Sequence, residues 1–136
     1  MRRTRSRGGR CGAPGVAVMA TIALAAATFA NTAAHADGDA ARGELLYRGC
    51  EDCHSLDKND VGPMHRGVFG RKAGGVANYE YSEALKKSGI VWNAATLDRW
   101  LTDPQAMVPG TKMLYWVENA QDRADVIEYL KQNSGD

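Results

Sequence analysis

The stretch Cys50-Glu51-Asp52-Cys53-His54 decides how this chain reads. Two cysteines separated by two residues and followed at once by histidine form the Cys-x-x-Cys-His pattern of covalent haem attachment. The spacing has a physical reason. One helical turn sets both thiols where each can add across one vinyl group of the same porphyrin, and the adjacent histidine aims a ring nitrogen at the iron. Three other readings compete. A redox-active Cys-x-x-Cys of the thioredoxin kind needs a βαβ context, and no stretch reads as a convincing strand. A zinc site needs four ligands, and only His54, His65 and the two cysteines are evident candidates. A plain disulfide leaves His54 without a purpose. Haem accounts for all three residues.

Upstream of this motif the chain carries an export signal. Arg2, Arg3, Arg5, Arg7 and Arg10 form a basic start with no acidic residue. An apolar, alanine-rich run follows over residues 16–30, and Ala34-His35-Ala36 supplies a small-residue cleavage site. The three features together define a secretory signal peptide. The apolar run is about 15 residues, short of the ~20 that a spanning helix needs. Cys11 precedes the run and is not placed for lipid attachment, and Arg2-Arg3 reads as ordinary basic charge. Residues 1–36 are therefore expected to be removed, leaving residues 37–136 as the working domain, with no membrane insertion after cleavage.

The cut changes the charge. The precursor has 17 basic and 16 acidic residues. Losing five arginines leaves 12 basic against 16 acidic, a net −4. An acidic domain argues against nucleic-acid binding as its task. The cut also leaves Cys50 and Cys53 as the only cysteines.

Downstream the pattern is helical. A first helix is expected over residues 37–49, capped by Asp39, with Ala41, Leu45 and Leu46 as its apolar stripe. Residues 55–78 read as a long irregular loop, of a length that normally wraps around something. Short helices are expected over 82–88, ending at Gly89, and over 93–103, with Asn93 as cap, Leu97, Trp100 and Leu101 on one face, and Pro104 as terminator. Residues 105–113, with Pro109-Gly110, form a second irregular stretch. A last helix spans 120–132, with Val126, Ile127 and Leu130 inward. The expected architecture is all-α: about four short helices and two long loops. So few helices bury little surface in a small domain, and a large apolar ligand in the middle supplies the missing core.

An electron-carrying haem needs a second axial ligand. Met64, Met107, Met113 and His65 are the candidates. A thioether is a soft ligand that favours ferrous iron and raises the potential, although methionine is commonly core filling. Met113 follows the rigid turn Pro109-Gly110-Thr111-Lys112, which can aim one side chain inward. Met107 is the second choice. Met64 and His65 lie too near His54 to reach the opposite side of the haem.

Several segments in order resemble the class I cytochromes c of the soluble mitochondrial and bacterial type, over nearly the whole domain: Gly38-Asp39, Cys50 to His54, Gly62-Pro63, Gly70-Arg71-Lys72-Ala73-Gly74, Tyr79-Glu80-Tyr81-Ser82, Gly89-Ile90-Val91-Trp92, Pro109 to Met113, and Asp122-Arg123 through Tyr129-Leu130-Lys131. The resemblance implies one haem c held by Cys50 and Cys53, with His54 and Met113 as iron ligands. It implies that the Pro63 carbonyl accepts from the other nitrogen of His54, that Arg71, Tyr81 and Trp92 hold a buried haem propionate, and that Thr111 and Lys112 support the methionine loop. It implies that Gly43 and Tyr47 cross Val126 and Tyr129 as packing.

Two departures from the family bear on the haem pocket. Trp100 stands where the family often has a tyrosine bonded to the methionine sulfur, and indole donates through a single N–H. Leu85 stands where the family often has an asparagine in a buried water network. A more apolar pocket raises the potential, with Trp100 as an expected offset. A third departure concerns docking: the domain is acidic, leaving Lys58, Lys72, Lys86, Lys87 and Lys112 as candidates for a local basic patch. The implied function is a monomeric periplasmic one-electron carrier, not an enzyme, passing electrons between redox proteins, membrane-bound complexes among them. The alternative is a tightly bound cytochrome subunit of a periplasmic dehydrogenase or oxidase.

Overall fold

The computed structural model describes residues 37–135, so the expected signal peptide over 1–36 lies outside the described residues. Five helices are present among them: α1 Ala40–Tyr47, α2 Glu83–Lys87, α3 Ala94–Thr102, α4 Pro104–Met107 and α5 Ala120–Gln132. The one β contact among these residues is an isolated antiparallel bridge between Lys72 and Val91. The all-α expectation holds.

Helix starts are set by side-chain caps. The Asp39 carboxylate accepts from the N–H groups of Ala41 and Arg42, Ser82 accepts from Leu85, and Asn119 accepts from Gln121 and Asp122. Asn93 and Thr96 satisfy each other's backbone N–H groups reciprocally, which fixes where α3 begins. Gly89 follows α2 with φ of 69°, the left-handed turn expected there.

α4 corrects the reading of residues 105–113 as irregular throughout. Pro104 does end α3, but it also opens a new helix. The Asp103 side chain accepts from Ala106 N–H at 2.9 Å, and Pro104 sits in the first turn. Its fixed φ suits that position and its missing N–H is not needed there.

The first and last helices cross at Gly43. An added Cβ would lie 2.0 Å from the Asp125 carbonyl oxygen, so only glycine lets the two backbones meet. This changes the expected face of α1: Leu45 is exposed, and the buried positions are Gly43 and Tyr47, one turn apart. The Tyr47 ring leans on Tyr129 of α5 at 5.2 Å between centroids. Arg42 pairs with Asp122 and Asp125 across the same crossing. α3 packs on α5 through Leu97, Trp100 and Leu101, all buried as expected, and Arg123 is bonded to Asp98 at 2.7 Å. The buried faces of α3 and α5 do not close fully on each other. Leu97, Trp100, Leu101, Val126 and Leu130 also line a cavity.

Candidate functional site

That cavity has a volume of about 690 Å³, inside the usual range for small-molecule and cofactor sites of about 300–1,000 Å³. Cys50, Cys53 and His54 reach it from the turn after α1, and Met113 from the segment before α5. The Cys-x-x-Cys-His segment is a tight turn. Cys53 N–H and His54 N–H both donate to the Cys50 carbonyl, at 3.1 and 2.8 Å.

Both cysteines are free thiols. Burial, with Glu51 and Cys53 adding to it, pushes the Cys50 thiol up to about 11. Such a thiol is protonated at neutral pH, the opposite of the activated thiolate that a redox Cys-x-x-Cys needs. No group of three or more His, Cys, Asp or Glu side chains able to hold a metal ion occurs among the described residues, so the zinc reading gains no further ligands.

His54 is fixed at one end. Its Nδ1 lies 2.8 Å from the Pro63 carbonyl oxygen and donates to it, which leaves Nε2 with the free lone pair. Desolvation lowers the His54 pKa, partly opposed by that carbonyl, so the ring is held in the neutral form that ligates metals. Gly62, in the same loop, has a task of its own. A Cβ there would lie 2.2 Å from Cε1 of His54, so Gly62 makes the room in which the ring stands.

Met113 is held on its own side by two contacts. The indole N–H of Trp100 donates to its sulfur at 3.1 Å. The side-chain amide of Gln105, on α4, donates to the carbonyls of Thr111 and Met113 at 2.8 and 3.0 Å. Thr111 is buried in the same loop, and Lys112 Nζ donates to the Glu80 carbonyl at 2.6 Å. Gln105 is absent from the sequence reading. Its signal is the Asp-Pro pair before it, which starts a helix and turns the next residue toward the loop. Met107 packs at the edge of the core and lines a different depression from the one that holds Met113, and Met64 is partly buried in the first loop.

Arg71, Tyr81 and Trp92 line the cavity together. Arg71 donates to the carbonyls of Met64 and Arg66. Tyr81 accepts from Val76 N–H at 3.4 Å, and desolvation raises its pKa. Among the described residues the Tyr81 O–H is given no acceptor and the Trp92 indole N–H no partner, while no fully buried side-chain N or O atom is left unpaired, so the indole nitrogen keeps some exposure. Two idle donors beside a guanidinium suit a carboxylate brought in by a ligand.

These features fit a haem: an apolar cavity of suitable size, two thiols one turn apart, a neutral imidazole with Nε2 free, a thioether, and idle donors for a propionate. His65 and Tyr47, which the sequence reading gave no joint role, also meet here: the His65 ring lines the cavity and Tyr47 Oη lies 3.0 Å from its Nδ1. Desolvation, with His54 and Arg71 nearby, takes the His65 pKa well below its usual value.

Two of the five lysines that could form a local basic patch share a nearby carboxylate. Glu83 pairs with both Lys86 and Lys87. Among the exposed residues that line the cavity, Val61, Leu114 and Tyr115 are apolar and stand beside the charged Asp52 and Lys112.

Known proteins resemble this chain in sequence and in fold. The family model described as cytochrome c matches residues 40–134. A cytochrome c2 of Rhodomicrobium vannielii is 43% identical over 116 residues, covering 82% of this chain and 93% of its own. A cytochrome c of Gibberella zeae is 41% identical over 104 residues, covering 73% of this chain and 98% of its own. Among solved structures, cytochrome cH from Methylobacterium extorquens matches with a TM-score of 0.68 and 48% identity, over 70% of this chain and 99% of that one. Ferricytochrome c2 from Rhodopseudomonas palustris matches with a TM-score of 0.67 and 38% identity, over 70% and 98%.

Proposed function

Since the chain belongs to the class I c-type cytochromes, we propose that it is a periplasmic one-electron carrier with a single haem c, bound through Cys50 and Cys53 and ligated by His54 and Met113. The observation that carries this reading is the convergence of both ligand side chains on one cavity, each already braced by the protein: His54 by the Pro63 carbonyl and Met113 by Trp100 and Gln105. Bound haem supplies a one-electron couple. The chain's own residues hold both axial ligands in place, keep water out with an apolar lining, and answer the charge of a propionate with Arg71, Tyr81 and Trp92. With His54 and Met113 both held ready as ligands, no ligand position would be left for a substrate, which supports a carrier over a haem enzyme.

The domain works outside the cytoplasm in this reading. The signal over 1–36 carries the chain across the inner membrane, and among the described residues no helix is long and apolar enough to cross a membrane. Donor and acceptor are redox proteins, soluble or membrane-bound, that dock briefly on a monomer. A second reading draws on one observation. Leu114, Tyr115 and Trp116 are consecutive and exposed, next to the Met113 segment. An apolar run of this kind marks interaction surfaces, and it favours a lasting place as a subunit of a dehydrogenase or oxidase.

One preparation tests the main reading. The exported protein is purified from its host, its N-terminus sequenced, and the chain unfolded in denaturant. Haem that stays with the unfolded chain, an N-terminus at Asp37, and the weak far-red band of methionine-ligated ferric haem are the expected results. Haem released on unfolding refutes covalent attachment, and a missing far-red band refutes Met113. Elution with a second polypeptide at constant stoichiometry selects the subunit reading.

A further inference from the structure

The first loop, which gives His54 its hydrogen-bond acceptor, also brings a second imidazole against it. His65 stacks on His54 with ring centroids 4.0 Å apart and planes 20° from parallel. Its backbone is fixed on both sides of the ring: His65 N–H donates to the Ser55 carbonyl at 2.9 Å, and its own carbonyl accepts from Val68 at 2.9 Å. Its Nδ1 lies 3.0 Å from Tyr47 Oη. Tyr47 in turn is 1% exposed, anchored where α1 crosses α5, with its ring against Tyr129. A continuous path of contacts thus runs from the helix crossing through Tyr47 and His65 to His54.

A path of this kind does something that the Pro63 contact cannot do alone. One hydrogen bond at Nδ1 fixes the direction of that nitrogen, and the close approach of Gly62 bounds the ring from one direction, but neither sets the angle of the ring about the bond. A flat, anchored partner stacked on its face removes that freedom. An aliphatic side chain in the same place would fill space without setting an angle, because it has neither a flat face nor a directional tether.

We propose that His65, tethered by Tyr47, is a positioning residue that fixes the rotational setting of the His54 ring. The proposal rests on the reading of His54 as the proximal ligand. The consequence is electronic. In ferric low-spin haem the axial imidazole plane selects the orbital that holds the unpaired electron, and the proton shifts of the haem methyl groups report that plane. His65 therefore sets the electronic asymmetry of the oxidised haem without touching the iron.

The test uses the holoprotein with three substitutions, His65→Leu, His65→Phe and Tyr47→Phe. Covalent haem and the far-red band are checked first on the unsubstituted protein; their absence there refutes the ligand reading before any variant is compared. The haem methyl resonances of the ferric form are then recorded. His65→Leu removes both stack and tether and is expected to change the order and spread of the four methyl signals, while haem attachment and the far-red band persist. Tyr47→Phe and His65→Phe each keep a ring in the stack and lose the tether, and are expected to shift the methyl signals less, in the same direction. Methyl signals of unchanged order and spread in all three variants overturn the proposal. If His65→Leu fails to fold, the two phenylalanine variants decide, and wild-type signals in both overturn it.

Discussion

Replacing Trp100 by phenylalanine tests the distal side of the site most directly. The indole N–H donates to the Met113 sulfur at 3.1 Å from a buried ring, 7% exposed. A net hydrogen bond contributes about 0.5–1.5 kcal/mol, and a thioether is a weak acceptor, so the lower part of that range, about 0.5–1 kcal/mol, applies here. In the proposed site the bond draws electron density from the sulfur, which makes it a poorer donor to electron-poor ferric iron and a better acceptor of density from ferrous iron, the state a soft thioether already favours. It therefore stabilises the reduced state relative to the oxidised one. If the whole contribution separates the two states, a tenfold change corresponds to about 1.4 kcal/mol and to 59 mV for one electron. The bond is then worth roughly 20–40 mV of raised potential. On this argument Trp100 is expected to add to the apolar effect of Leu85 rather than offset it.

Trp100→Phe is accordingly expected to lower the midpoint potential by about 20–40 mV while the far-red band remains. The smaller ring also leaves a void beside Trp92, whose ring lies 5.2 Å from that of Trp100. A large-to-small change of this kind costs about 1–3 kcal/mol of stability. Trp100→Tyr restores a donor near the sulfur and is expected to recover most of the potential. Spectroelectrochemical titration of the three proteins in one buffer makes the comparison. An unchanged or higher potential in Trp100→Phe, with methionine still bound, refutes the argument that the indole acts through the sulfur.

Other substitutions probe the frame of the site. Gly43→Ala gains roughly 1 kcal/mol of helix propensity but sets a methyl 2.0 Å from the Asp125 carbonyl. Neither backbone can yield cheaply, so thermal denaturation should show a net loss of about 1–3 kcal/mol, or several degrees in Tm. Gly62→Ala drives a methyl into the His54 ring and is expected to reduce haem incorporation during expression, measured as haem per polypeptide. Asp125 is desolvated, but N–H donors from Asp39 and Gln121 and the Arg42 guanidinium outweigh that and hold its pKa below the usual carboxylate value. A depressed folded pKa contributes stability above the unfolded value of about 3.9, and that contribution is lost as pH falls through the folded pKa. Asp125→Asn should therefore be less stable than wild type at pH 7, with the gap narrowing as urea melts are repeated from about pH 5 downward; a gap constant with pH contradicts the assignment. Gln105→Leu removes the clamp on the Thr111 and Met113 carbonyls and is expected to weaken the far-red band at a lower temperature than in wild type.

What the sequence made legible follows from what each signal requires. Cys50, Cys53 and His54 are readable because the haem attachment proposed for them demands fixed residue types at fixed spacing. The inward faces of α3 and α5 are readable because large apolar residues recur at helical intervals. The face of α1 is not readable this way. Its burial depends on Gly43, and a periodicity search that scores bulky residues selects Leu45, which is exposed. α4 has four residues, too few for any period, and only the grammar of Asp103 and Pro104 announces it. The missing helix hid Gln105 as well, since the reach of that side chain depends on the turn that carries it. The lysines stay open for another reason: Glu83 offsets one of the two charges of Lys86 and Lys87 at helical spacing that is visible in sequence, but a patch is judged by what surrounds it in space. The Trp100–Met113 and Tyr47–His65–His54 contacts join residues 13, 18 and 11 positions apart through the closure of loops with no local pattern. The apolar stripes of α3 and α5 belong in the same account. Several of their residues face a cavity rather than one another, so these stripes describe a core only when the ligand is counted as part of it.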